Sequence, residues 1–269
     1  MADTKETVAE TPAAPSDPAP PYIETPASTS AVEPEKTIAN DTSTEAPVLE
    51  KSSSDGWPAL DAGHPLSRFV QALPEILKST GYNEVYGVAL VPEGNFHTKL
   101  ILQKFLRANQ NDLEKAKEQL TKTLTWRKEY QPLKVKDEVF SSKKFGGLGY
   151  ITKLSDVPGS ENKTDVATFN IYGAVKDNKE TFGDVEAFMR WRVALMESSV
   201  LKLGLAEATA PIPDYGEGPD IYQGFQIHDY MDVSFLRQDP LVKAASKKAI
   251  EVFGAYYRKS SPLRAEQMY

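Results

Sequence analysis

The sequence contains no cysteine and only three histidines, His64, His97 and His228. The first absence excludes disulfides, thiolate-ligated haem, iron–sulfur clusters and cysteine-bound zinc. The histidines have no metal-ligand spacing among themselves. No apolar run approaches the roughly 18–20 residues that span a bilayer. The N-terminus lacks both a basic-then-apolar signal pattern and an Arg-rich transit pattern. The sequons at Asn40 and Asn162 therefore read as chance matches, and the chain reads as cytosolic, touching membranes from outside. Neither a Ser-His-Asp arrangement nor a carboxylate pair can be argued from spacing, so hydrolase chemistry has no support.

Positive charge is scarce at one end. Residues 1–55 hold eleven acids against three lysines and no arginine, a balance of −8, whereas the whole chain carries −7. The remainder is thus near neutral, which argues against nucleic acid as a partner. The same 55 residues are rich in Ala, Pro, Ser, Thr and Glu. They bury too little apolar surface to offset ordering entropy and read as a disordered acidic tail, either inert or an interaction arm.

Beyond Trp57 the apolar spacing changes to a helical one. Leu66, Phe69, Val70, Leu73 and Leu77 predict a helix over 65–80, bent or split by Pro74. Residues 84–91 form a short apolar stretch of open type, closed by Pro92-Glu93-Gly94. A stripe of Leu100, Ile101, Lys104, Phe105 and Ala108 predicts a helix over 97–109. Asp112 is placed to cap the next helix, which carries Leu113, Ala116, Leu120 and Leu124 and is stopped by Pro132. This helical module is expected to occupy 57–135. Strands are then expected at 149–152, 167–175 and 225–230, a long helix at 182–203, a Pro/Gly/Asp-rich loop at 206–219, and a last helix opened by Asp239-Pro240. Strands separated by long helices imply crossovers and a largely parallel sheet. The fold class is therefore α/β, an N-terminal helical module followed by a sheet flanked by helices over 145–269. Gly146-Gly147-Leu148-Gly149 precedes a strand and reads as a flexible connection, not a phosphate loop.

The stretch 225–230 carries the most chemistry. Its alternation sends Gln226, His228 and Tyr230 to one side. Such a pair either lines a site, since tyrosine ligates ferric haem and histidine ligates or hydrogen-bonds nearby, or is satisfied in or near a core. On the strand 167–175, Thr168, Asn170 and Tyr172 share one face. Two neighbouring strands with a polar face suggest a lined cavity, or a face meeting water. In the helix 182–203, Arg192 falls on the apolar stripe and Arg190 falls off it. A buried arginine needs an anion: a haem propionate, a lipid phosphate or an internal carboxylate. The alternative is that Arg192 snorkels to the helix edge. Lys243, Lys247 and Lys248 either meet anionic headgroups or form an ordinary solvated face.

The block 102–108, with Asp112-Leu113-Glu114-Lys115-Ala116 and Leu124-Thr125-Trp126-Arg127, resembles the N-terminal module of CRAL-TRIO lipid-transfer proteins. Phe169-Asn170-Ile171-Tyr172-Gly173, Phe188-Met189-Arg190-Trp191-Arg192 and His228-Asp229-Tyr230 are similar to the haem-binding fungal phosphatidylinositol transfer proteins of that family. The resemblance spans about 65–257. It implies a CRAL-TRIO mixed or parallel sheet, phosphatidylinositol binding and transfer, and ferric haem b held by a tyrosinate. It also implies peripheral association with the endoplasmic reticulum or microsomal membrane. By position, Tyr172, Arg192, His228 and Tyr230 match the haem pocket, with Tyr230 as iron ligand. A further basic residue of the family falls near Arg264. Against the family pattern the chain is expected to be shortened after Tyr257, leaving an open sheet edge. The chemistry implied is ligation rather than catalysis. The alternatives are a haem-dependent peroxidase-like enzyme, and a ligand-free interaction protein.

Overall fold

The computed structural model describes residues 56–158, 160, 164–231, 233, 239–258 and 263–268, with backbone alone at 258 and 263–268. The acidic tail, Asn40, Asn162 and Gly159 of the expected 158–160 turn lie outside the described residues, as does the side chain of Arg264.

Helix α1 spans Pro65–Thr80, with His64 Nδ1 accepting from the Leu66 amide and Gly81 closing the end in the left-handed region. It runs unbroken through Pro74, which sits on its exposed face. Strands β1 (Glu84–Val85) and β2 (Val88–Ala89) resolve the stretch of open type into a hairpin. Its turn residues Tyr86 and Gly87 both take positive φ, as a tight hairpin demands. Helix α2 is Phe96–Ala108 and α3 is Leu113–Tyr130. Asp112 caps α3 as the sequence predicts, its carboxylate accepting from the Lys115 amide at 3.1 Å. Pro132 ends α3 and opens a short helix, α4 (Pro132–Val135), followed by α5 (Ser142–Phe145).

The sheet begins with β3 (Gly149–Ser155) and β4 (Thr164–Ile171). The helix expected over 182–203 is α7 (Val185–Leu201), and a short helix that the spacing does not predict, α6 (Asn178–Phe182), precedes it. Asp184 sets the start of α7 by accepting from the Ala187 amide as its N-cap. Strand β5 (Gly224–Asp229), α8 (Pro240–Phe253), a π-type turn over Gly254–Arg258 and β6 (Leu263–Met268) complete the chain. The sheet order is β3-β4-β5-β6, with the first pair antiparallel and the other two parallel. β6, a strand the sequence reading did not place, pairs with β5 and forms the last strand of the described sheet. Its Leu-Arg-Ala-Glu-Gln-Met sequence carries no β-branched residue, so β5 supplies the pairing that local propensity does not.

Helix α7 is the axis of the molecule's core. It is buried nearly all round, yet Arg192, Glu197 and Ser199 are among its buried residues. Val200 and Met196 share an apolar cluster with Phe69, Leu100 and Leu124 of the first helices. Glu197 meets the fully buried guanidinium of Arg127, at 2.6 Å from Nη1, and Arg127 also holds Glu84 at 2.8 Å. Tyr257 donates its hydroxyl to the same Glu197 oxygen at 2.5 Å. Lys104, read as part of an apolar stripe, is buried against Asp220 at 2.7 Å. Arg107 donates to the main-chain oxygens of Pro213, Asp214 and Gly218, which ties the 206–219 loop to α2.

Candidate functional site

The α7-facing surface of the sheet is polar, as the alternation in β4 and β5 requires. Val166, Thr168 and Asn170 point one way on β4. Gln226 and His228 do so on β5, with Thr168 opposite Gln226 and Asn170 opposite His228 in register. Thr168 hydrogen-bonds Ser199 of α7, and Gln226 lies 3.8 Å from the Met196 sulfur. This face meets a helix rather than water.

Two of the expected site residues lie off their strands. Tyr172 is the first residue of a 3-10 turn after β4, and Tyr230 follows the last residue of β5. The Asp229 carboxylate accepts from the Met231 amide at 2.8 Å, a local turn that ends β5. Both chains leave the sheet side by side. Gly173 permits this, because a Cβ there would collide with the Met231 carbonyl oxygen. The strand-face argument for Tyr172 and Tyr230 is thus replaced by two converging turns.

The convergence still assembles the group. The Tyr172 ring lies 5.9 Å from His228 and 5.3 Å from Tyr230, and His228 lies 6.2 Å from Tyr230. All three planes are within 23° of parallel. Behind them stands Arg192, 2 % exposed, with its guanidinium 5.1 Å from the Phe253 ring centre and 5.7 Å from that of Trp191. It does not snorkel: Nε and Nη1 are buried without a hydrogen-bond partner, and so is His228 Nδ1. Arg190, off the stripe, pairs with Glu138 at the surface.

Electrostatics follow from this enclosure. Burial, and then the Arg192 charge, lower the His228 pKa to about 4, so the imidazole is neutral at pH 7. Burial also raises the Tyr230 phenol above its ordinary value. Tyr172 adds to that and Arg192 opposes it without prevailing. The ligand-free phenol is therefore protonated at neutral pH, and a phenolate here requires a bound cation to displace the proton. Chemically the arrangement offers buried donors for an anion, a phenol oxygen for a hard cation and parallel ring edges for a flat molecule. Among the described residues no group of three His, Asp or Glu could hold a metal.

Sequence reasoning missed Phe253 beneath Arg192 and the Glu197–Arg127–Glu84 lattice. The available signal for the lattice was an acid placed between Met196 and Ser199 in an otherwise apolar helix.

Comparison with known proteins bears on this geometry. The family described as CRAL/TRIO, N-terminal domain, matches residues 65–122. The chain is 59 % identical over 221 residues to the phosphatidylinositol transfer protein SFH5 of Phaeosphaeria nodorum, covering 82 % of this chain and 67 % of that protein. It is 53 % identical over 197 residues to the sfh5 protein of Sclerotinia sclerotiorum, covering 72 % of this chain and 46 % of that one. The crystal structure of Sfh5 superposes with a TM-score of 0.57 at 28 % identity, over 72 % of this chain and 66 % of that chain. The chain thus spans two thirds of the first relative's length and less than half of the second's.

Proposed function

We infer, since the chain belongs to the CRAL/TRIO family, that it is a phosphatidylinositol-binding and transfer protein whose ring cluster also holds ferric haem b. The observation that carries the reading is Arg192, a buried guanidinium lacking an acceptor beside three parallel rings. A cation in that position is costly unless a ligand's acid group completes it. In this reading Tyr230 supplies a phenolate oxygen to iron, Arg192 holds a carboxylate, His228 orients from beside the ligand and Tyr172 packs against the Tyr230 ring. When bound, the haem would supply a ferric centre that a phenolate keeps oxidised, which favours carriage over turnover.

Lipid carriage is supported by the relatives, which bear the name of phosphatidylinositol transfer proteins. It is also supported by the opposite sheet face, where Tyr150 is 54 % exposed and Phe169, Ile171, Phe225 and Ile227 are half-buried. Among the described residues no helix is long and apolar enough to cross a membrane. Exposed Lys243 and Lys247 share one face of α8 with exposed Ile250, a face suited to peripheral contact with an anionic bilayer of the endoplasmic reticulum or microsomes.

The test is a haemin titration of the purified chain beside a vesicle-to-vesicle transfer assay with labelled phosphatidylinositol. A ferric high-spin Soret band in the wild type that is lost in Tyr230→Phe is the expected result. An identical spectrum in that variant would remove Tyr230 as ligand. Absence of phosphatidylinositol transfer would remove the lipid reading for this chain.

A further inference from the structure

Asp229 stands between the two ring residues of His228-Asp229-Tyr230 and has no part in the ligand roles given above. Alternation along β5 turns it to the sheet face opposite His228. Its carboxylate therefore acts on the ring cluster through the chain and not by contact. That route is short. Oδ1 accepts from the Met231 amide at 2.8 Å, which closes a loop of main chain around Tyr230.

Two further contacts bear on the same corner. The Tyr230 carbonyl accepts from the Val233 amide at 3.0 Å. On the other side, Gly173 approaches so closely that an added Cβ would meet the Met231 main chain. The sheet does not supply this support. Pairing on both sides of β5 stops at Asp229, opposite Ile171 and Met268. A residue left loose past the end of a strand must be ordered when a ligand binds, which weakens binding by roughly tenfold. A hydrogen bond already made in the empty protein removes much of that cost.

We propose that Asp229 is a positioning residue of the ring cluster: its side-chain acceptor holds the corner that presents the Tyr230 phenol to a bound metal centre. This rests on the reading that Tyr230 is the iron ligand. The acceptor is the working part and the charge is not, because the bond goes to a main-chain N–H, which an amide oxygen also accepts. Asparagine closes the same turn, serine closes it more weakly and alanine cannot close it.

The experiment is haemin titration of the full chain and of Asp229→Asn, Asp229→Ser and Asp229→Ala. Resonance Raman spectra at haemin saturation read the modes of an iron-bound phenolate directly. Asp229→Asn is expected to bind haemin within about twofold of the wild type and to keep the phenolate modes. Asp229→Ala is expected to bind about three- to tenfold more weakly, with those modes shifted or lost, and Asp229→Ser to fall between. Lower fold stability alone leaves the spectrum of the saturated protein unchanged. Wild-type phenolate modes in Asp229→Ala therefore overturn the proposal whatever the affinity. Asp229→Asn as weak as Asp229→Ala also overturns it, by making the charge the cause. If the alanine variant does not fold, the other two decide, and serine matching or exceeding asparagine overturns the proposal. Phenolate modes in the wild type that survive in Asp229→Ala sink the Asp229 role alone and leave Tyr230 as ligand. Absence of those modes from the wild type sinks both.

Discussion

The rings of Tyr172 and Tyr230 lie 5.3 Å apart and 23° from parallel, each just past the end of its strand. Neither ring is held by the ladder, so their meeting depends on the two turns that Gly173 lets approach. Gly173→Ala is expected to separate them, since the added Cβ collides with main chain rather than a yielding side chain. A drop in haemin affinity with Tyr172 and Tyr230 intact, together with a stability loss of about 1–3 kcal/mol in urea unfolding, is the result that supports this. Unchanged binding would show that the turns tolerate a wider separation.

Replacing Arg192 with methionine is expected to leave the ligand-free protein as stable or more so, by up to about 1–3 kcal/mol, because a buried orphan cation is removed. Its packing against Phe253 and Trp191 is kept by the methionine stem. Thermal unfolding of ligand-free protein reads the gain, and anion binding reads the loss. A clear drop in stability would mean that Arg192 is already paired in the ligand-free fold.

Arg127→Met is expected to behave in the opposite way. Glu197, fully buried, would lose the guanidinium that holds it. Truncating one partner of such a pair costs about 3–5 kcal/mol. Arg127→Met combined with Glu197→Leu is expected to recover much of that loss, and urea midpoints of the two variants check the coupling.

Acid should destabilise the fold through His228. Its folded pKa of about 4 lies below the ordinary value of 6.5, so the unfolded chain binds more protons between those values. Stability is full above pH 6.5, falls as the pH drops toward 4 and then levels, a loss of roughly 3 kcal/mol at most from this residue. His228→Gln should flatten that part of the profile. The measurement is the difference in unfolding free energy between wild type and variant from pH 7 to pH 4, and a constant difference would exclude His228 as the source.

Much of the architecture was legible in the sequence. The apolar spacing located α1, α2 and α3, and Asp112 and Pro132 marked the limits of α3. The same spacing put Arg192 on a buried face and Arg190 outside it. The errors fell where a polar or tight-turn residue interrupts a pattern. Asp184 delays the start of α7 to Val185, and Asp229 ends β5 one residue before Tyr230. An N-cap and a local turn compete with the regular element for the same backbone donors, and the apolar period does not register that competition.

What the sequence determined by itself is periodicity: which side chains share a helix or strand face, and therefore that Arg192 falls on the apolar stripe of its helix and that His228 shares a strand face with Gln226. That is fixed by backbone geometry within each element. Tertiary structure alone decided that Tyr172 and Tyr230 stack, that Glu197 meets Arg127 and Tyr257, and that Thr168 of β4 bonds Ser199 of α7. These depend on β4–β5 register, on the packing of α7 against the sheet and on the close passage of two turns. Each joins residues far apart in the chain, where no local period carries information.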